Sequence, residues 1–290
     1  MNKTKKWEEL TLSDNFIFQK VMLNKELCKK VLSEILGMEV INIEYPESEK
    51  SISIKRDAKS IRLDVYVRDH KNTVYNIEMQ QVSEKDLPKR TRYYQGMIDI
   101  DLLEKGALYD ELNKSFVIFI CTFDYFGKGQ YKYTFSNKCN EVAGLELGDE
   151  TTKIFLNSKG IKGEVSENLK NFLKCVNGEY NSNEFSDTIK KEVYKVKHSE
   201  RWRAEYMYQY LRERELEREV RREARIEGLK EGREKGIKEG RKEGRKEGRK
   251  EGITLALDVI RLHNSGMSVE QIEKELNISA QEVENIIKQL

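Results

Sequence analysis

"RLDVYVRDHKNTVYNIEMQQ", residues Arg62–Gln81, decides how the chain folds. Two runs rich in β-branched and aromatic residues flank the polar segment Asp69–Thr73, which is the pattern of a β-hairpin. Alternation with a period of two puts Ile61, Leu63, Val65 and Val67 on one face of the first strand, and Arg62, Asp64 and Tyr66 on the other. In the second strand Tyr75, Ile77 and Met79 share a face opposite Asn76, Glu78 and Gln80. A turn over Asp69–Thr73 then aligns Leu63 with Met79, Val65 with Ile77 and Val67 with Tyr75, all apolar pairs. The same register sets Asp64 directly opposite Glu78, with Gln80 about 7 Å further along the strand.

Two carboxylates facing each other across a strand pair repel by about 0.2–1 kcal/mol unless a cation lies between them. Two readings are open for the stretch alone: a solvated polar sheet face, or a divalent-cation site. The run Phe116–Thr122, "FVIFICT", is apolar throughout and implies a central strand covered on both faces, where unpaired carboxylates are costly. Hard oxygen ligands of this kind select Mg²⁺, with Mn²⁺ as a substitute. Such an ion polarises a phosphodiester and acidifies a water, the requirements of phosphodiester hydrolysis.

Composition narrows the other classes. A chain of 290 residues, 38% of them apolar, supports one or two domains with a buried core. Lys+Arg 53 and Asp+Glu 51 leave a net charge of +2, so a nucleic-acid partner has to be argued from local charge. No run approaches the ~18 apolar residues of a membrane span, and the basic N-terminus has no apolar signal region, so a cytoplasmic protein without membrane association is expected. Cys28, Cys121, Cys139 and Cys175 are far apart, which fits neither a zinc site nor a disulfide scaffold. The histidines, His70, His198 and His263, fall in turns or polar helix, so chemistry has to rest on carboxylates.

The segments around the hairpin read as an α/β fold. Two short helices open it, with Ser13 as a cap, a break near Asn24 and an end at Gly37. Strands follow at Val40–Tyr45, Ser51–Ile54, Ile61–Arg68 and Val74–Val82, then a helix over Asp86–Leu103 and the strand Phe116–Thr122. A glycine-punctuated loop, Phe123–Asn137, leads to another strand, and Glu164–Gly178 reads as a helix. This first domain is assigned residues 1–190.

From 195 to 253 the chain is a charged helical segment in which glycine recurs every fourth position from Gly228 to Gly252. Each glycine costs about 1 kcal/mol of helix against a few tenths per ion pair, so the tract reads as a marginal helix or extended linker. Coiled-coil assembly through Arg201–Ile226, and so a homo-oligomer through the helical tail, is the other reading. Residues 254–290 form a three-helix, helix-turn-helix-like module with capping boxes at Ser268–Gln271 and Ser279–Glu282. Its acidity favours protein contact over DNA reading.

Asp64 in "RLDVYV" and Glu78-Met79-Gln80 in "YNIEMQ" lie between "LSDNFIFQKVM" and "LPKRTRYYQGMID", followed by "VIFICTFDYFGKGQYKYTF". In that order the segments resemble the PD-(D/E)XK nuclease superfamily, and more narrowly its recombination-promoting nuclease (Rpn) and transposase family. The resemblance implies a restriction-endonuclease-like core, a mixed central sheet flanked by helices, that acts on DNA in recombination or at mobile elements. It implies that Asp64 and Glu78 ligate Mg²⁺, with the Met79 carbonyl as a further ligand and Asp14 of the first helix as an accessory acid. Gln80 stands where the superfamily keeps a lysine; an amide orients water but neither charges nor deprotonates it. Arg90 and Tyr94, four apart on the next helix with Tyr93 beside them, are assigned to DNA. A competing class remains, a DNA-binding or oligomeric scaffold that keeps a degenerate nuclease core.

Overall fold

The computed structural model describes residues 5–45, 51–52 and 61–289. Helix α1 (Asn15–Met22) turns Phe16, Ile17, Phe18 and Val21 into the core. The break at Asn24 is a cap: its side chain accepts the Leu27 N–H at 3.1 Å and starts α2 (Lys25–Leu36). Gly37 ends α2 at φ 71°, a left-handed conformation that glycine adopts without a Cβ penalty. Ser13 is not the cap of α1. Asp14 holds that position, and Ser13 Oγ accepts from the Gln81 amide at 3.0 Å.

Strand β1 (Ile43–Glu44) is shorter than the expected Val40–Tyr45 because Asn42, at φ 49°, interrupts the extended run. β2 (Ser51–Ile52) pairs antiparallel with β3 (Ile61–Arg62) in a two-stranded ribbon. The expected extension of β2 to Ile54, with the nearby Lys55, Arg56 and Lys59, lies outside the described residues. β4 (Val65–Asp69) and β5 (Val74–Gln80) form the hairpin, with Val65 opposite Ile77 and Val67 opposite Tyr75. Asp69 Oδ1 ties its turn by accepting the Lys71 and Thr73 N–H groups at 2.8 and 2.9 Å.

The strand expected over Ile61–Arg68 is interrupted at Leu63–Asp64. There the Asp64 N–H donates to the Glu78 carboxylate instead of a ladder carbonyl. The interruption also resets the alternation. Val65 and Val67 pack with Tyr75, Ile77 and Met79 on one face, whereas Ile61 and Leu63 join Tyr66 in the cluster on the other.

Helix α3 (Leu87–Leu102) carries Pro88 in its first turn, where the missing N–H has no partner to lose. It leads to β6 (Ser115–Cys121), β7 (Lys132–Phe135) and β8 (Thr151–Asn157). The sheet order is β1-β4-β5-β6-β8-β7, with β5, β6 and β8 parallel at its centre. All seven residues of β6 are buried, as the apolar run requires. Truncating one of them, such as Ile118, to alanine costs about 2–5 kcal/mol. β8 is the strand expected between the Phe123–Asn137 loop and the Glu164–Gly178 helix, whereas β7 lies inside the stretch read as loop; the four residues of β7 are half-buried or exposed, so its hydrophobic pattern is weak.

Each sheet face has its own apolar layer. Phe116, Ile118 and Ile120 meet residues of α1, α2, α4 (Glu167–Val176) and α5 (Glu184–Lys197). Val117, Phe119 and Cys121 meet Leu87, Met97 and Ile98 of α3. The fold is therefore mixed α/β, a central sheet flanked by helices. The core runs further along the chain than residue 190: Val193, Val196 and Tyr206 are buried in it, and the buried Lys20 pairs with Glu205 at 2.7 Å. All four cysteines are free, three of them buried.

Contacts divide the chain into Met1–Leu211 and Arg212–Leu290. Helix α6 spans Glu200–Asn264, so the glycine tract is helical throughout rather than extended. Its charged residues supply spaced ion pairs, as in Lys235–Glu231 at 3.9 Å, and a Cβ added at any glycine from Gly228 to Gly252 would touch nothing. In the second unit α7 (Val269–Leu276) and α8 (Ala280–Ile287) both open with the expected capping boxes, and Val259, Ile272 and Val283 are buried together. Among the described residues no helix is long and apolar enough to cross a membrane.

Candidate active site

Asp64 and Glu78 meet at the interruption between β3 and β4. The Met79 N–H donates to Asp64 Oδ2 at 3.0 Å, and the Asp64 N–H donates to Glu78 Oε1 at 3.2 Å. These reciprocal bonds replace two ladder bonds and hold both carboxylates on the same edge of β5. Helix α1 fixes the other Asp64 oxygen: Oδ1 accepts the Gln19 amide at 2.9 Å and the Asn15 amide at 3.4 Å. The backbone carbonyl of Met79 shares this edge. Gln80 O faces β6, where it accepts the Thr122 N–H at 3.1 Å, so strand alternation turns the preceding carbonyl toward Asp64.

The pair is electrostatically uncomfortable as two anions. Burial pushes the Asp64 carboxyl above its ordinary range, opposed by the Met79 N–H, the Gln19 amide and the charges of Arg90 and Arg62. Burial pushes Glu78 well above its range, and the charge of Asp64 adds to the shift. Two carboxylates that resist ionising together, with a carbonyl on the same edge, form an all-oxygen donor set that fits a small divalent ion. Among the described residues no third His, Cys, Asp or Glu joins them. An ion held here would take its remaining ligands from water or a phosphate.

Gln80 is buried on the same face of β5 as Glu78, and both ends of its amide are engaged. Nε2 donates to Val82 O at 2.8 Å, and Oε1 accepts from Arg90 Nη1 at 3.1 Å. Arg90 also reaches Glu84 at 3.2 Å and the Tyr94 hydroxyl at 3.2 Å. Its guanidinium lies 5.4 and 5.3 Å from the ring centres of Tyr94 and Phe119. The structure therefore brings Asp64, Glu78, Met79, Gln80, Arg90 and Tyr94 into one cluster. Tyr93, next to Tyr94 on α3, is 39% exposed.

Asp14 has partners of its own. Its carboxylate accepts from Lys5 Nζ at 2.7 Å, from the Thr11 N–H at 2.8 Å and from the Gln81 amide at 3.0 Å. Asp124 closes the Phe123–Asn137 loop on itself through the Gly127 and Gly129 N–H groups and the Tyr133 hydroxyl. The sequence reading missed Asn15 and Gln19, which orient Asp64. Their signal was present: two amides four apart lie on one face of a helix whose remaining residues, Lys20 excepted, are apolar. It missed Glu84 as well, for which loop residues carry no periodic signal.

Among curated proteins none matches the chain. Residues 15–224 match the family described as PD-(D/E)XK nuclease family transposase, a span that takes in α1, the hairpin, α3 and the whole sheet. The chain belongs to that PD-(D/E)XK nuclease family.

Proposed function

We propose that this protein is a Mg²⁺-dependent DNA endonuclease, with Mn²⁺ able to substitute, that hydrolyses phosphodiester bonds without a covalent intermediate. The observation that carries this reading is the reciprocal Asp64–Glu78 arrangement, in which the backbone beside each carboxylate holds the other, with Glu78 buried and Asp64 half-buried. Asp64, Glu78 and the Met79 carbonyl hold the ion. When bound, the ion supplies Lewis acidity toward a phosphoryl oxygen. Arg90 stabilises charge on the scissile phosphate, Gln80 positions that guanidinium and the attacking water, and Tyr94 and Tyr93 contact DNA. Asp14 takes no ligand role in this reading, because Lys5, Thr11 and Gln81 engage its carboxylate.

The test is nicking of supercoiled plasmid by purified protein with Mg²⁺. Loss in Asp64→Ala, in Glu78→Ala and in chelator is expected; nicking unchanged in both variants sinks the assignment. A second reading, a scaffold with a degenerate core, is favoured by one feature: both ends of the Gln80 amide are occupied. Calorimetric titration separates the two, since a scaffold takes up no Mg²⁺ or Mn²⁺ in a manner that depends on Asp64. We also propose self-association through the tail, where Leu211, Leu216 and Val220 of α6 are all more than half exposed. Self-association that survives deletion of 254–290 removes the terminal module as the contact.

A further inference from the structure

Next to the carboxylate pair, α3 and β3 border an open groove of about 630 Å³. Its apolar surface comes from Ile61, Tyr93, Met97 and Ile100. Tyr93 and Ile100 are exposed on it, at 39% and 58%, while Ile61 and Met97 are buried beneath as part of the core. Among the described lining residues Arg62, Lys89, Arg90 and Arg92 supply the charge, against one acid, Asp86. On a chain with a net charge of only +2, four cations to one acid is a local excess. The groove is continuous with the site, because Arg90 lines it and also donates to Gln80, while Arg62 acts electrostatically on Asp64.

We propose that this groove seats an unpaired DNA strand, with a base against Tyr93 and its phosphates on the basic rim, so that the substrate is single-stranded or locally opened DNA. The inference rests on the nuclease reading for what happens to the strand, but not for its binding. A duplex keeps its base faces stacked and presents phosphates and groove edges, which engage the cations alone. An unstacked base presents a π-face that covers an aromatic ring and the aliphatic side chains around it. The pairing of apolar floor with basic rim therefore fits a strand whose bases are turned out. The volume lies within the roughly 300–1,000 Å³ of sites that enclose small organic groups, which suits a nucleotide.

The experiment is fluorescence anisotropy on the full chain in chelator, so that nothing is cut, with four labelled oligonucleotides. These are a single strand, its duplex, the duplex with a central unpaired loop, and a single strand carrying abasic units. Expected are binding of the single strand and the looped duplex at least about tenfold tighter than the plain duplex, and a loss of about 5- to 100-fold on the single strand in Tyr93→Ala. Tyr93→Phe keeps the affinity, and the abasic strand binds the unaltered protein as weakly as the normal strand binds Tyr93→Ala. Equal affinity for plain duplex and single strand, or for abasic and normal strands, overturns the proposal. Carboxylate-dependent nicking without any strand preference overturns the groove and leaves the nuclease standing. Tyr93-dependent strand preference in a protein that never nicks supports the groove and overturns the nuclease.

Discussion

Arg90 donates to Gln80 Oε1 at 3.1 Å, so the strand that carries Glu78 holds a guanidinium through the amide two positions further on. The positive charge is thereby supplied from α3 through β5 rather than by β5 itself. Charge beside the pair is visible in its effect on both carboxyls, since Arg90 opposes the upward shift of Asp64 and of Glu78.

Arg90→Ala is expected to lower kcat for plasmid nicking by about 10–100-fold, the range for a residue that supports a metal site from outside its ligands. Arg90→Lys recovers little of this. A planar fork reaches Gln80, Glu84 and Tyr94 together, and an ammonium on a flexible stem does not. Steady-state rates over a range of plasmid concentrations check the point. A rise in KM with kcat unchanged would reduce Arg90 to a DNA anchor.

Glu78→Gln is expected to remove more than about 100-fold of the nicking rate, beyond the effect of an outer residue, and yet to stabilise the metal-free protein at neutral pH. The sign follows from proton binding. Both carboxyls titrate higher in the folded chain than in the unfolded one, where they titrate near about 4, so the folded state binds more protons above that pH. Stability of the metal-free protein therefore falls as pH rises from about 4 through the folded values. Thermal melts in chelator should show Glu78→Gln above the parent at pH 8 and the gap closing toward pH 4. Adding Mg²⁺ should raise the melting temperature of the parent, more at high pH, and leave the variant unmoved. A variant that melts below the parent at pH 8 contradicts the account.

Asp14→Ala tests whether that carboxylate is structural. It strands Lys5, the Thr11 N–H and the Gln81 amide, a loss of about 1–3 kcal/mol that urea unfolding reads directly. Mn²⁺ affinity by calorimetry should stay at the parent value. A parallel fall in Mn²⁺ affinity would return Asp14 to the ligand set.

The hairpin was legible because its signals are local. Alternation, the Asp69–Thr73 turn and the apolar pairs Val65–Ile77 and Val67–Tyr75 set the β4–β5 register. Beyond it the expected Leu63–Met79 pair is not formed, and Asp64 is joined to β5 by its bonds with Glu78 and Met79. The caps at Asn24, Ser268 and Ser279 were legible for the same reason, each being a side chain bonding within a few residues of itself, and so was Gly37, whose backbone N–H donates to Ser33 O. The interruption at Leu63–Asp64 was not, because an unbroken alternation is the only expectation that local pattern can supply. What displaces the strand there is a carboxylate fourteen residues away taking the Asp64 N–H. β7 was read as loop because its place in the sheet depends on antiparallel pairing with β8 rather than on its own weak pattern.

By itself, then, the sequence determined the acidic pair, its face of the hairpin and the covered sheet, all consequences of period-two geometry and short-range bonding. Tertiary structure decided the rest of the site. Asn15 and Gln19 reach Asp64 from α1, Arg90 reaches Gln80 from α3, and the basic groove lies along that same helix. Those contacts join residues as many as 49 positions apart, and only the packing of helices onto the two faces of the sheet brings such side chains within hydrogen-bonding distance.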